Sequence, residues 1–315
     1  MLRYVTRRLA IAILTIFGVS IVVFLAMRIV PGGIVETLGG PAAVQSPELY
    51  ARLQQKYGLE KPLVVQYGLW LGNALQGDLG ESLGTRASVS HEIARRVWVT
   101  AELTLLATLF SVIVGVPAGV FAALRRGSVP DLLTRSVALV GFSIPDFVLG
   151  TVLIYFVSTR QLGLPVSGYV PLREDAWDHL RSITLPTLSL GVIITAVVMR
   201  VVRASVAEVL AEPYVVTARA KGLHPRLVAR RHILRAALIP LITIVGINTG
   251  YLLSGAVIIE ELFSLPGIGR YAYQGIINRD YPVAQGTVIV GALLFILANL
   301  VADLLYAVVD PRIKY

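Results

Sequence analysis

The side chains able to do covalent chemistry are few and scattered. Cysteine is absent, and the four histidines are His91, His179, His224 and His232. A thiolate metal site, a catalytic thiol and a disulfide framework are therefore excluded. No histidine stands at ligand spacing from a second histidine or an acid cluster on one helix face, so no metal site is expected. No G-x-x-x-x-G-K-[ST] run occurs, so the chain offers no P-loop for ATP. Inside the long apolar runs the acids are Asp146 and Asp303, flanked by GFSIPDFVLG and LVADLLYAVV. Neither context supplies a nucleophile with its base. An unpaired acid at membrane depth costs about 2.5–3.5 kcal/mol on insertion scales, so Asp146, just after Pro145, should not face lipid. Two readings stay open for it. It lines a translocation path and attracts amine groups, or it makes a structural hydrogen bond.

Binding chemistry is concentrated in residues 200–236, which are basic throughout. The segment contains Tyr214-Val-Val-Thr217-Ala218-Arg219-Ala220-Lys221-Gly222-Leu223, then Arg231-His232-Ile-Leu234-Arg235. Pro225 suits the first turn of a short helix running to about Leu234, because its missing N–H costs nothing there. Gly222 permits a sharp turn or a close backbone approach. Arg226, Arg230, Arg231 and Arg235 could meet acids or carbonyls of a partner. Charge alone would equally describe a loop held on the cytoplasmic side.

The elements that must carry these residues are membrane spans. The 315 residues are 56% hydrophobic and 15% charged, with a mean hydropathy of +0.74. A soluble domain carries about a quarter charged residues. Six apolar runs are long enough, or nearly so, to cross about 30 Å of hydrocarbon. They are Leu9–Met27, Leu103–Leu124, Ser136–Ser158, Ile183–Met199, Leu238–Ile259 and Val283–Val309. The first is too long for a signal-peptide core and reads as a retained span. With both termini cytoplasmic, the inner segments 1–8, 125–135, 200–236 and 310–315 hold sixteen Lys/Arg against four acids. The positive-inside rule favours that orientation, and it assigns the net charge of +9 to the membrane rather than to nucleic acid. The expected organisation is a first span (1–30), an extracytoplasmic segment (31–102) and a five-span core (103–315). Within the outer segment, Glu48–Tyr57 and Leu63–Leu75 read as short amphipathic helices, with Tyr67 and Trp70 at the headgroups or packed on the spans. Gly115 and Gly119 read as helix packing. Gly246, Gly250 and Ser254 form a close-approach stripe, within the chain or towards a second one. Asn299, Asp303, Tyr306 and Asp310 share a helix face expected to join basic loop residues.

The segment from Tyr214 to Pro240 resembles the signature loop of inner-membrane permeases of binding-protein-dependent ABC importers, in the oligopeptide/dipeptide/nickel subfamily. The general importer motif is E-A-A, three residues, Gly, nine residues, then I-x-L-P. Ala218, Gly222 and Leu234 match it; Val216, Thr217, His232 and Arg235 depart from it in the manner of the peptide permeases. The stretches GLEKPLVVQYGLWLGNALQGDLGESL, SGAVIIEELFSLPGIGRYAYQGIINRDYP and NLVADLLYAVVDPRIKY are similar to further blocks of that family, in the same order. The long outer segment resembles the B-type member of the permease pair.

The resemblance implies an all-α, six-span, type I importer permease fold. It implies a non-catalytic subunit with no cofactor of its own, ATP and Mg residing on partners. Those partners would be a second homologous permease, two cytoplasmic ATP-binding subunits and an extracytoplasmic solute-binding protein. Tyr214–Leu223 with Arg231, His232, Leu234 and Arg235 would couple to the ATPases. Asp78 and Glu81, with Pro266, Gly267 and Gly269 of the Ser264–Gly269 turn, would meet the binding protein, unless that turn is an internal plug. The cargo would be di- or oligopeptides, with nickel chelates, glutathione or glycosides as alternatives. A lone secondary transporter would need repeats and an intramembrane ion site, and neither is visible.

Overall fold

The computed structural model describes residues 2–29, 35, 46–56, 58–234 and 237–309. Among them four helices are long and apolar enough to cross a membrane: Thr6–Ile29, Val89–Leu124, Ala176–Leu210 and Tyr281–Leu304. They belong to helices α1 (Leu2–Ile29), α4 (Val89–Leu124), α7 (Ala176–Leu210) and α13 (Tyr281–Val309). Helices α2 (Pro47–Lys56) and α3 (Leu63–Leu75) fill the outer segment where amphipathic helices were expected.

The predicted third and fifth spans are interrupted. The third is a pair, α5 (Val129–Ser143) and α6 (Asp146–Arg160), bent by 98°. Pro145 explains the site of the break, since it lacks an N–H and disfavours a helical Ile144 before it. The fifth run gives α10 (Ile239–Leu253) and then, after Gly255, the short α11 (Val257–Leu262). Gly255 sits at φ +121°, a conformation L side chains avoid, and its backbone lies hard against Gly269. Helix α12 (Ile268–Ile277) then leads to α13.

The core is built on the α4–α7 pair. A Cβ at Gly115 would lie 2.9 Å from the Val198 side chain, and one at Gly119 would lie 2.7 Å from the Met199 carbonyl oxygen. These glycines set a close helix approach, as small residues do in membranes. The Gly246/Gly250 stripe packs within the chain: Gly246 meets Ala302 of α13, and Gly250 meets Phe295 and Asn299. Tyr67 and Trp70 also turn inward. The Tyr67 hydroxyl and Ser20 Oγ are 2.7 Å apart, and both rings lean on Phe24 of α1. Asp303 pairs with Arg8 at 2.9 Å, which brings the beginning of α1 and the end of α13 to the same end of the bundle. Asp310 lies outside the described residues.

Candidate functional site

The loop after α7 is a helix–turn–helix. Helix α8 (Pro213–Ala220) begins at Pro213, whose missing N–H is harmless in a first turn. Val215 and Ala218 are its buried anchors, packed into the main core with Val202 and Val206 of α7. The rest of the helix surface is exposed, including Tyr214, Val216, Thr217, Arg219 and Ala220. Lys221, Gly222 and Leu223 continue that exposed face. The Thr217 hydroxyl donates to the Pro213 carbonyl at 2.9 Å and keeps its acceptor side exposed.

Gly222 ends this helix. The Leu223 N–H donates to Ala218 O at 3.3 Å and the Gly222 N–H to Arg219 O at 2.9 Å. That is a Schellman closure, which needs a left-handed residue at the glycine position. Gly222 has φ +73°, and a Cβ there would meet open space within this chain. The glycine is therefore required by its backbone angle and not by crowding within this chain.

Helix α9 (Pro225–Val228) follows, running into a π-helical turn Ala229–Leu234. The expected helix to Leu234 is present, but its second half is wound as i→i+5. Val228 and Ile233 are buried, anchoring the turn as Val215 and Ala218 anchor α8. Leu227 is exposed beside Leu223. The side chains of Arg226, Arg230, Arg231 and His232, and all of Arg235, lie outside what is described. What remains is a short amphipathic helix pinned by two small apolar residues, with an aromatic–aliphatic face and basic edges. Such a helix can sit in a groove of another protein.

The opposite end carries the second group of expected contacts. Asp78 and Glu81 are exposed; Asp78 Oδ1 accepts from the Gly80 N–H at 2.9 Å. Pro266 is half-buried, but Gly267 and Gly269 are buried. The reason is Glu260, a fully buried acid that composition alone did not single out. Its Oε1 accepts from the Thr100 hydroxyl at 2.6 Å and its Oε2 from the Arg270 N–H at 2.9 Å. Thr100 Oγ1 in turn accepts from the Ile268 N–H at 3.0 Å. Helix α12 has no capping side chain of its own, so Glu260 and Thr100 bind the N–H groups left over at its start. A Cβ at Gly267 would fall 2.2 Å from the Glu260 carboxyl carbon, so only glycine fits.

Two further polar ties stitch the same end. The Ser82 hydroxyl donates to buried Asp280 at 2.6 Å, fastening the outer segment to the start of α13. His179 Nε2 lies 2.7 Å from Glu102 and its Nδ1 2.8 Å from the Val170 carbonyl, while the Tyr169 hydroxyl donates to Glu102 at 2.8 Å. With both ring nitrogens occupied by oxygens, this histidine is a structural link.

Asp146 stands in the first turn of α6, half-buried, where the helix dipole favours an acid. Its Oδ1 accepts from the Phe147 N–H at 2.8 Å. It is therefore a helix-start residue at an elbow rather than a mid-helix acid.

Comparison with known proteins adds to this geometry. The family described as "Binding-protein-dependent transport system inner membrane component" matches residues 115–315, and its N-terminal companion matches residues 1–104. The di/tripeptide transport system permease protein DppB of Pseudomonas aeruginosa is 42% identical over 100% of this chain and 99% of its own. The glutathione transport system permease protein GsiC of Escherichia coli is 41% identical over the whole of both chains. Among solved structures, a chain of the MetNI methionine ABC transporter in inward-facing form aligns with TM-score 0.58 and 21% identity, over 70% of this chain and 96% of that one. At that identity the likeness establishes the fold, an all-α type I importer permease. Exposed interhelical loop, multi-span core and full-length relatives agree: this chain belongs to the inner-membrane permeases of binding-protein-dependent ABC importers.

Proposed function

We propose that this permease carries short peptides and forms one half of a translocation pathway completed by a second, homologous permease. The observation that carries the cargo is the end-to-end match to two permeases whose named cargoes are di/tripeptides and glutathione, itself a tripeptide. Two cytoplasmic ATP-binding subunits supply the energy, with ATP and Mg bound to them, and a solute-binding protein delivers the cargo outside. Both termini are cytoplasmic in this reading. The charge distribution supports it, and the Arg8–Asp303 pair agrees with both ends lying on one side of the membrane.

In this reading the exposed face of α8 and its Gly222 turn dock in the ATPases, with Tyr214, Val216, Leu223 and Leu227 as apolar contacts and Arg219 and Lys221 at the rim. Val215 and Ala218 then pass the displacement to α7. Asp78 and Glu81 meet the binding protein; Gly267 and Gly269 shape the floor beneath that surface.

The test is purification of the complete transporter with its binding protein, followed by uptake of labelled dipeptides, tripeptides and glutathione into vesicles. Peptide uptake that needs ATP and the binding protein is expected. Uptake of glutathione alone would narrow the cargo, and uptake of neither would refute it. Photo-crosslinkers at Asp78 and Glu81 should capture the binding protein during turnover; no adduct at either position would remove the proposed outer contact.

A further inference from the structure

Between α5 and α7 lies a cavity of about 290 Å³, lined among others by Arg135, Ala138, Leu139, Met199, Arg200 and Arg203. Its chemistry divides along the membrane normal. Arg135 directly precedes the apolar run Ser136–Ser158, and Arg200 directly follows the run Ile183–Met199. The guanidinium groups therefore stand at one membrane boundary, while Ala138, Leu139 and Met199 lie on the hydrocarbon side of them. Ala138 and Met199 are buried, and Leu139 and nearby Phe142 are exposed. An apolar track thus leads from the basic mouth into the bilayer.

The charges do not cancel. Asp131, fully buried, is the acid of this cluster. Its two oxygens are taken by Arg203, with Nη2 to Oδ2 at 3.0 Å, and by the Gly127 N–H at 3.0 Å. Arg135 reaches Asp131 only at 3.8 Å and its side chain is 52% exposed. Arg200 stacks over Phe142 with its central carbon 4.9 Å from the ring centroid, and among the described residues no carboxylate pairs with it. Stacking fixes the plane of this guanidinium while leaving its N–H donors free. Three arginines against one acid leave an excess of two positive charges at a membrane boundary.

We infer that this cavity is a binding site for an anionic phospholipid, its phosphodiester held by Arg135 and Arg200 and its acyl chain laid along Leu139 and Phe142. Planar guanidinium groups match phosphate oxygens two at a time, and basic pockets between spans recognise anionic headgroups. Arg203 acts through Asp131 as the positioning residue, holding α5 against α7 so that Arg135 and Arg200 converge. The choice of inner leaflet rests on the orientation proposed above; the site itself does not.

The test uses the complete transporter purified in mild detergent. Native mass spectrometry should find phosphatidylglycerol retained by the wild type, and added phosphatidylglycerol should raise its melting temperature where phosphatidylcholine or inorganic phosphate does not. Arg135→Gln with Arg200→Gln should weaken phosphatidylglycerol binding roughly thirtyfold, about 2 kcal/mol for two basic groups. Arg135→Lys with Arg200→Lys should keep the headgroup selectivity. Undiminished retention in the glutamine variant, or equal stabilisation by phosphatidylcholine or by inorganic phosphate, would overturn the inference. A crosslink from position 135 to the second permease would do so too, since that surface would then be covered by protein. If the glutamine variant fails to assemble, the wild-type comparison of the two lipids decides. Retention in detergent does not depend on which leaflet supplied the lipid, so its failure would leave the proposed orientation untouched.

Discussion

The two ends of this permease are built on opposite plans. At the end bearing α11, α12 and the outer segment, acids take up donors from distant parts of the chain: Glu260 caps α12, Asp280 ties down Ser82, and Glu102 holds His179. At the other end, α8 rests on two small anchors and turns its remaining surface outward. The first end is specified from within the chain; the second leaves exposed the face that the proposed ATPase contact would cover. Rigid placement of the outer turn and a free face on the inner helix are what a device driven from one side needs. In the proposed function, movement imposed on α8 would enter through Val215 and Ala218 into α7, whose far end is fastened by His179.

That contrast can be broken first at the outer end. Glu260→Ala removes the acceptor for Thr100 and Arg270 and leaves buried donors unpaired, a loss on the order of 3 kcal/mol. A clearly lower melting temperature in detergent and poorer recovery of the complex are expected; wild-type stability would show that the cap is dispensable. Ser82→Ala deprives Asp280 of its shortest donor and should cost about 2 kcal/mol, read by the same melting assay and by protease access to the outer segment. An unchanged cleavage pattern would mean that the segment is held elsewhere.

At the inner end the expected effects move from stability to work. Gly222→Leu strains one left-handed residue, about 1 kcal/mol, in space that is open within the chain. Assembly should survive, but ATP hydrolysis by the partners should no longer drive uptake. Transport at the wild-type rate would sink the coupling role of this turn. Asp146→Asn is the mildest change, near zero on stability because asparagine keeps the acceptor for the Phe147 N–H. If Asp146 borders the path, uptake of cationic peptides falls while neutral peptides pass as before. Equal uptake of both would leave it only its place at the start of α6.

The parts of this architecture that could be read from sequence are those set locally. Long apolar runs gave α1, α4, α7 and α13, and Gly222 announced a turn because few other residues enter that backbone region. Pro145 marked where the third span would give way, but not by how much, since proline removes a hydrogen bond without dictating the resulting angle. The polar ties were hidden because their partners are far apart in the chain. Glu260 needs Thr100, and Asp280 needs Ser82. No periodicity links such pairs, and Glu260 reads in sequence as one of two adjacent acids after an apolar run. The glycine stripes were legible as close approaches but not as to their partner. Val198, Met199 and Ala302, which supply the opposing surfaces, carry no mark of it.

The ion pair between Arg8 and Asp303 has a meaning in time as well as in space. Arg8 is synthesised well before Asp303, with nearly the whole described bundle between them in the chain. During synthesis the first helix enters the bilayer long before its partner exists, and the bundle stays open along that seam. Asp303 therefore reaches its counter-charge only after α13 has left the ribosome, and the seam between α1 and α13 closes late. Until then the two helices that the pair joins are held to the rest of the bundle only by their other neighbours.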